Sequence, residues 1–194
     1  NGQTITQRYS YGDDNRVINY RGRRVSVDYD YDDLGLLNKK TITSTATGNS
    51  TNLEVNYSYK QASDRTSTEQ LQYKTNIIDY ESLNNAVNYQ YEYDDNGNIT
   101  EINEKDSSNT YVLKVSYEYD SKNQLTRENN SYLNQTITYS YDTGGNITSK
   151  KVYSYTTGAL TGLTQTEEAD YSYTDSVWKD KLTQYTKGNT TYSI

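Results

Sequence analysis

The chain has 194 residues and a formal net charge of −7, with 24 tyrosines and no His, Cys, Met, Phe or Pro. Without Cys and His it offers no disulfide framework, no thiolate nucleophile, no Ser-His-Asp triad and few ligands for a transition metal. The acidic balance argues against nucleic acid or an anionic membrane surface as a partner, and no run of about twenty apolar residues predicts membrane insertion.

Only 31% of the residues are hydrophobic, which by itself would point to disorder, yet tyrosine recurs here with strand periodicity. Tyr-x-Tyr doublets stand at Tyr9/Tyr11, Tyr29/Tyr31, Tyr57/Tyr59, Tyr91/Tyr93, Tyr117/Tyr119, Tyr139/Tyr141, Tyr153/Tyr155 and Tyr171/Tyr173. Such self-similarity marks a repeat architecture. The run into each doublet alternates: Val25, Val27, Tyr29 and Tyr31 share one parity. So do Leu53, Val55, Tyr57 and Tyr59, then Tyr111, Leu113, Val115, Tyr117 and Tyr119, then Ile137, Tyr139 and Tyr141. Strand side chains alternate between faces, so each series predicts a strand with one tyrosine-aliphatic wall and one wet wall. Sharing parity with Val, Leu and Ile assigns the rings to the core, where each buried tyrosine removes about 150–250 Å² from water.

A turn follows each of the clearest doublets. Four positions after the second tyrosine stands Asn15, Gly35, Gly97, Asn123 or Gly145, and Gly and Asn are the residue types that most readily take positive φ. Two positions further on, Val17, Leu37, Ile99, Leu125 and Ile147 resume the inward face. Asp32, Asp94, Asp120 and Asp142 directly follow their tyrosines, where a carboxylate can cap the N–H groups of the turn. Gly12 takes that place in the first unit, so this turn is expected to lose its cap. The Asp94-Asp95-Asn96-Gly97 and Asp13-Asp14-Asn15 clusters lack the alternating ligands and final glutamate of an EF-hand loop. Turn capping is their assignment, and no metal or cofactor is expected. Glu167 and Glu168 adjoin in sequence, which points them to opposite faces of a strand rather than across a glycosidic bond.

Other segments are less regular. Asp64-Arg65-Thr66 stands where Gly-Asn-Ile would, offset by one, and predicts a variant turn. The period weakens from Gln70 to Asn85, with a candidate strand at Ile77-Ile78-Asp79-Tyr80. Ser44 to Asn52 and Thr156 to Thr166 read as exposed connections broken by Gly48, Gly158 and Gly162. Thr174 to Leu182 reads as a longer turn holding Trp178, the only tryptophan. That residue is assigned as a packing plug, with glycan stacking as its alternative role. No helical apolar pattern is present.

The pattern Tyr-x-Tyr-Asp-x-x-Gly-Asn-Ile-Thr at Tyr91–Thr100 and Tyr139–Thr148, with looser copies at Tyr29–Asn38, Tyr117–Thr126 and Tyr9–Ile18, resembles the tyrosine-aspartate (YD) repeats of RHS proteins. The run from Asp175 to Thr183 resembles a variant repeat of the same family. The resemblance implies an all-β fold of repetitive antiparallel hairpins, forming a curved strip or spiral sheet that makes part of a shell. In RHS relatives the shell surrounds a C-terminal segment, often a toxin, and belongs to a secreted or surface protein of a bacterium. Those toxins also carry a core with an autoproteolytic aspartate site and a proline-rich signature, and no proline occurs here. The chain is therefore expected to be one repetitive segment, residues 1–194, cut from a longer protein, with no catalytic centre of its own. Its expected partner is the rest of its parent chain, as neighbouring repeats or toxin cargo, and open strand edges would allow edge-to-edge self-association. The alternative reading is a carbohydrate-binding, adhesin-like repeat at the cell surface.

Overall fold

The computed structural model describes residues 6–44, 51–61, 67–78 and 86–194. Among them there is no helix, and the fold is all-β. The first strands are β1 (Arg8–Tyr11), β2 (Val17–Arg21), β3 (Val25–Tyr31), β4 (Leu37–Ser44) and β5 (Thr51–Gln61). Next come β6 (Ser67–Ile78), β7 (Ala86–Tyr93), β8 (Ile99–Lys105), β9 (Tyr111–Tyr119) and β10 (Leu125–Asn130). The last are β11 (Gln135–Tyr141), β12 (Ile147–Ser154), β13 (Glu167–Ser172), β14 (Gln184–Lys187) and β15 (Thr190–Ser193). All fifteen hydrogen-bond in chain order within one sheet. The chain packs as two compact units, residues 1–91 with 104–112, and residues 92–103 with 113–194.

In the first unit, cross-strand register lines up Tyr20, Val27, Ile42, Leu53 and Ile78 in one row. The next row runs Tyr29, Lys40, Val55 and Asn76. Returning strands thus place lysine and asparagine among the tyrosines, and the Lys40 ammonium lies 5.8 Å from the Tyr29 ring centroid, within cation–π reach. The second unit repeats this, with Glu128 opposite Tyr117 and Ile137, and Lys150 opposite Tyr139 and Ala169. The tyrosine wall is therefore a mixed surface rather than the purely apolar one expected.

Burial corrects the assignment of the rings to the core. The buried apolar residues among those described are Val27, Val55, Val115, Ile137, Val152 and Ala169, whereas every described tyrosine is half-buried or exposed. The cause is size: the long rings reach past the short aliphatic side chains and leave their own outer edges in contact with water.

Several irregular stretches also differ from expectation. The segment from Ser67 to Ile78 is a full strand despite its weak period, while Ser44 and Asn52 belong to strands rather than to a connection. Asp64-Arg65-Thr66, Gly48 and Asp79-Tyr80 lie outside the described residues. Thr156 is tied down instead of exposed. Its carbonyl accepts from the Thr136 hydroxyl at 2.8 Å, and its N–H donates back to that hydroxyl at 2.9 Å. Arg127 donates to the Thr156 and Gly158 carbonyls at 3.0 and 2.7 Å and to Asn129 at 2.8 Å, and Asn129 donates to the Ser116 hydroxyl at 2.8 Å. On the wall expected to be wet, Thr136 is 0% exposed, so its polar groups depend on one another.

Thr136→Val keeps the shape of the side chain but leaves the Thr156 N–H without its partner and the Thr156 carbonyl with Arg127 alone. It is expected to cost about 1–3 kcal/mol, read as a lower Tm in thermal unfolding; an unchanged Tm would show that water replaces the hydroxyl.

Candidate functional site

The recurring local unit is a capped turn. The Asp94 N–H donates to the Asn98 carbonyl at 3.0 Å and the Gly97 N–H to the Asp94 carbonyl at 3.1 Å. Asp94 Oδ1 accepts the N–H groups of Asn96 and Asn98 at 3.0 and 2.8 Å. The same four bonds recur from Asp32, Asp120 and Asp142. φ is 82° at Gly35, 85° at Gly97, 93° at Gly145, 63° at Asn15 and 62° at Asn123. This is a tight turn closed by a left-handed residue, followed by a bulge where the register slips between Asp30 and Tyr31 and again between Ser140 and Tyr141.

Two turns depart from the sequence reading. The turn beginning at Gly12 keeps a cap, because Asp14 Oδ1 accepts the Arg16 N–H at 3.0 Å and its other oxygen pairs with the guanidinium at 2.9 Å. Asp106 to Thr110 forms another aspartate-capped turn, with Asn109 at φ 67°. It follows Lys105 rather than a tyrosine, so doublet alignment passed over it, although Asp-x-x-Asn was a readable signal.

In five doublets the second tyrosine ties its hairpin to the one before it. Tyr31 donates its hydroxyl to the Val17 carbonyl at 2.9 Å, Tyr59 to Leu37 at 2.8 Å, Tyr119 to Ile99 at 2.8 Å, Tyr141 to Leu125 at 2.7 Å and Tyr173 to Ile147 at 3.1 Å. The acceptors Val17, Leu37, Leu125 and Ile147 lie just past the last ladder pairs, Asn19↔Asp28, Lys39↔Asn56, Arg127↔Thr138 and Ser149↔Asp170. Backbone carbonyls that have left the ladder need a donor, and the phenol supplies it. The acceptors are the same aliphatic residues that resume the inward face after each turn.

Neighbouring turns also touch through the residue that follows the left-handed position. Asn98 Nδ2 donates to Asn123 Oδ1 at 2.9 Å, and Asn146 Nδ2 to Asp180 Oδ1 at 3.1 Å. A Cβ at Gly145 would meet Gln124 Nε2 at 3.1 Å, and one at Gly35 would overlap the Arg16 guanidinium, which also lies 5.2 Å from the Tyr31 ring centroid. Where a long side chain arrives the left-handed residue is Gly; where Asn arrives it is Asn.

The electrostatics follow the same geometry. Hydrogen bonds to the Asn98 and Asn146 side chains lead the causes that hold the Asp94 and Asp142 carboxyls below the usual range, supported by turn N–H groups. Burial pushes the phenols of Tyr59, Tyr119, Tyr141 and Tyr173 up, with a further push from Asp32, Asp94, Asp120 and Asp142 of the preceding turns. The open pocket between two successive turns, about 320 Å³, is lined by Asp120, Gln124, Tyr139, Tyr141 and Asp142, and both its carboxylates already serve as caps. Among the described residues no group of three or more His, Cys, Asp or Glu is placed to hold a metal ion.

The longer turn after β13 is pinned by Asp175, which accepts the N–H groups of Val177 and Trp178 at 2.9 and 2.8 Å. Trp178 is 67% exposed and Val177 92% exposed. The tryptophan is not a packing plug, because the Asp175 cap turns this pair outward.

No family model and no curated protein matches the chain. Solved structures similar to it include TcdB2-TccC3 without its hypervariable C-terminal region, at 18% identity and a TM-score of 0.49, covering 86% of this chain and 10% of that one. Another is the Tc holotoxin pore of Photorhabdus luminescens with a TccC3 mutation, at 19% identity and a TM-score of 0.48, with the same coverages. The chain thus spans about a tenth of the length of the solved chains it matches.

The raised phenol pKa values carry a pH dependence. A folded value above the ordinary one near 10 means that the neutral phenol stabilises the fold, fully below about pH 10, and that this contribution is lost as pH rises through the folded value. In an alkaline titration, a fraction of the tyrosines is expected to ionise late and together with loss of the β-sheet circular dichroism signal. Ionisation of every tyrosine with a midpoint near 10 while the sheet persists would contradict the geometry.

Proposed function

We propose that the chain is a structural scaffold, a run of wall in an RHS-type β-shell that encloses or displays a C-terminal effector of a secreted or surface bacterial protein. The observation that carries this reading is the tyrosine bond, made five times, from a hairpin to the one before it. In these repeats the phenol is directed at the neighbouring hairpin, the Asp32, Asp94, Asp120 and Asp142 caps are spent on their own turns, and Asn98 reaches the next turn, which is how a repeat wall is built and not how a reaction site is built. The YD pattern of the sequence supports the same reading.

A second reading rests on the exposed Val177–Trp178 pair: an aromatic ring on a pinned turn can stack on a sugar face. Glycan-array binding that disappears in Trp178→Ala would favour it.

In the parent protein, the segment that follows the repeats is expected to survive protease at doses that digest the same segment expressed alone. Equal digestion of the two would count against enclosure.

A further inference from the structure

We propose that Asn96 is a site of spontaneous deamidation, and that the folded turn sets its rate. Asn96-Gly97 is one of two Asn-Gly pairs in the chain; the other, Asn1-Gly2, lies outside the described residues. Glycine has no side chain to obstruct attack by its own nitrogen on the preceding amide. A base removes the Gly97 amide proton, the nitrogen attacks Asn96 Cγ, a C–N bond forms and the Cγ–NH₂ bond breaks, releasing ammonia. Water then opens the five-membered imide at either carbonyl, leaving aspartate or isoaspartate. Net, one amide and one water become one acid and one ammonia, and no other reactant is required.

Residues Asn96 and Gly97 are exposed, so water and base have access. The turn opposes the step in three ways. Its Gly97 N–H donates to the Asp94 carbonyl at 3.1 Å, which holds the proton that must leave. Asp94 Oδ1 fixes the N–H groups on either side, at Asn96 and Asn98, at 3.0 and 2.8 Å, so the backbone cannot swing the nitrogen toward Cγ. Negative charge on Asp94 and Asp95 also disfavours an approaching hydroxide and a developing amide anion. The equivalent positions in the other turns are Asp14, Leu34, Ser108, Lys122 and Gly144, and none carries a side-chain amide.

Isoaspartate at this position would insert an extra methylene into the backbone beside the left-handed Gly97 and displace Asn98 from its bond to Asn123. Deamidation would thus loosen one turn permanently, a chemical clock for a protein that persists outside the cell. This consequence depends on the scaffold reading, but the chemistry does not.

The test incubates the intact chain at neutral pH in native buffer and in concentrated urea. Peptide mass spectrometry then follows the tryptic peptide Thr75–Lys105, with Asn96→Gln as the assignment control. Amide-to-acid conversion is expected at Asn96 in urea and roughly tenfold or more slowly in the native chain, because reaction there waits for local opening of several hydrogen bonds. Asp94→Ala, which removes the cap, is expected to move the native rate toward the unfolded one. Equal native and unfolded rates, conversion at a different residue, or a native rate untouched by Asp94→Ala would each overturn the proposal. If Asp94→Ala fails to fold, the native-against-urea comparison of the natural sequence still decides it.

Discussion

The hydrogen bond from a tyrosine hydroxyl to a carbonyl of the preceding hairpin is the interaction on which this architecture depends. A hairpin alone is marginal in water, and here the strands splay apart at the turn end, where the ladder stops and an acceptor is left over. The phenol closes that gap while its ring covers the aliphatic residue beneath. Each such bond contributes about 0.5–1.5 kcal/mol net, which is modest singly and considerable when repeated. It also gives a physical reason for a chain with 24 tyrosines and no phenylalanine: phenylalanine would supply the cover without the anchor.

Turn chemistry and lateral packing are coupled by the same geometry. Burial pushes the next hairpin's phenol up, and the aspartate that caps the turn lies close enough to add to that push. The residue after the left-handed position reaches the left-handed residue of the next turn. Gly35 is therefore constrained twice, by its φ of 82° and by the guanidinium lying against it. At Gly35, Asn123 and Gly145 the choice between Gly and Asn, which looks arbitrary within one repeat, matches what the previous repeat presents.

Much of this was legible in the sequence. Strand parity located the tyrosine face, and the Gly/Asn positions and following aspartates marked the turns, because periodicity and turn propensity are local properties of the backbone. What depends on a neighbouring strand was not legible. Parity tells which wall a ring occupies but not its depth, so half-buried tyrosines read as core. Lys40 and Glu128 arrive on the tyrosine face through register, which hairpin sequences do not display. Asp14 could replace the missing cap at Gly12 only because its carboxylate accepts the N–H of Arg16 two residues ahead and pairs with that residue's guanidinium. The buried Thr136, surrounded by Asn129, Arg127 and Thr156, looked like any threonine in a threonine-rich chain. Trp178 reads as a plug within a long turn, whereas the Asp175 cap, two residues upstream of Val177, turns it outward.

Native-state hydrogen exchange on Tyr141→Phe, with Tyr139→Phe as a control in the same doublet, measures the central interaction most directly. Loss of the Tyr141 hydroxyl should speed amide exchange at the turn ends of β10 and β11, around Leu125 and Arg127, while loss of the Tyr139 hydroxyl leaves those amides protected. Identical exchange in both variants and the natural chain would contradict the claim that the phenol joins one hairpin to the next.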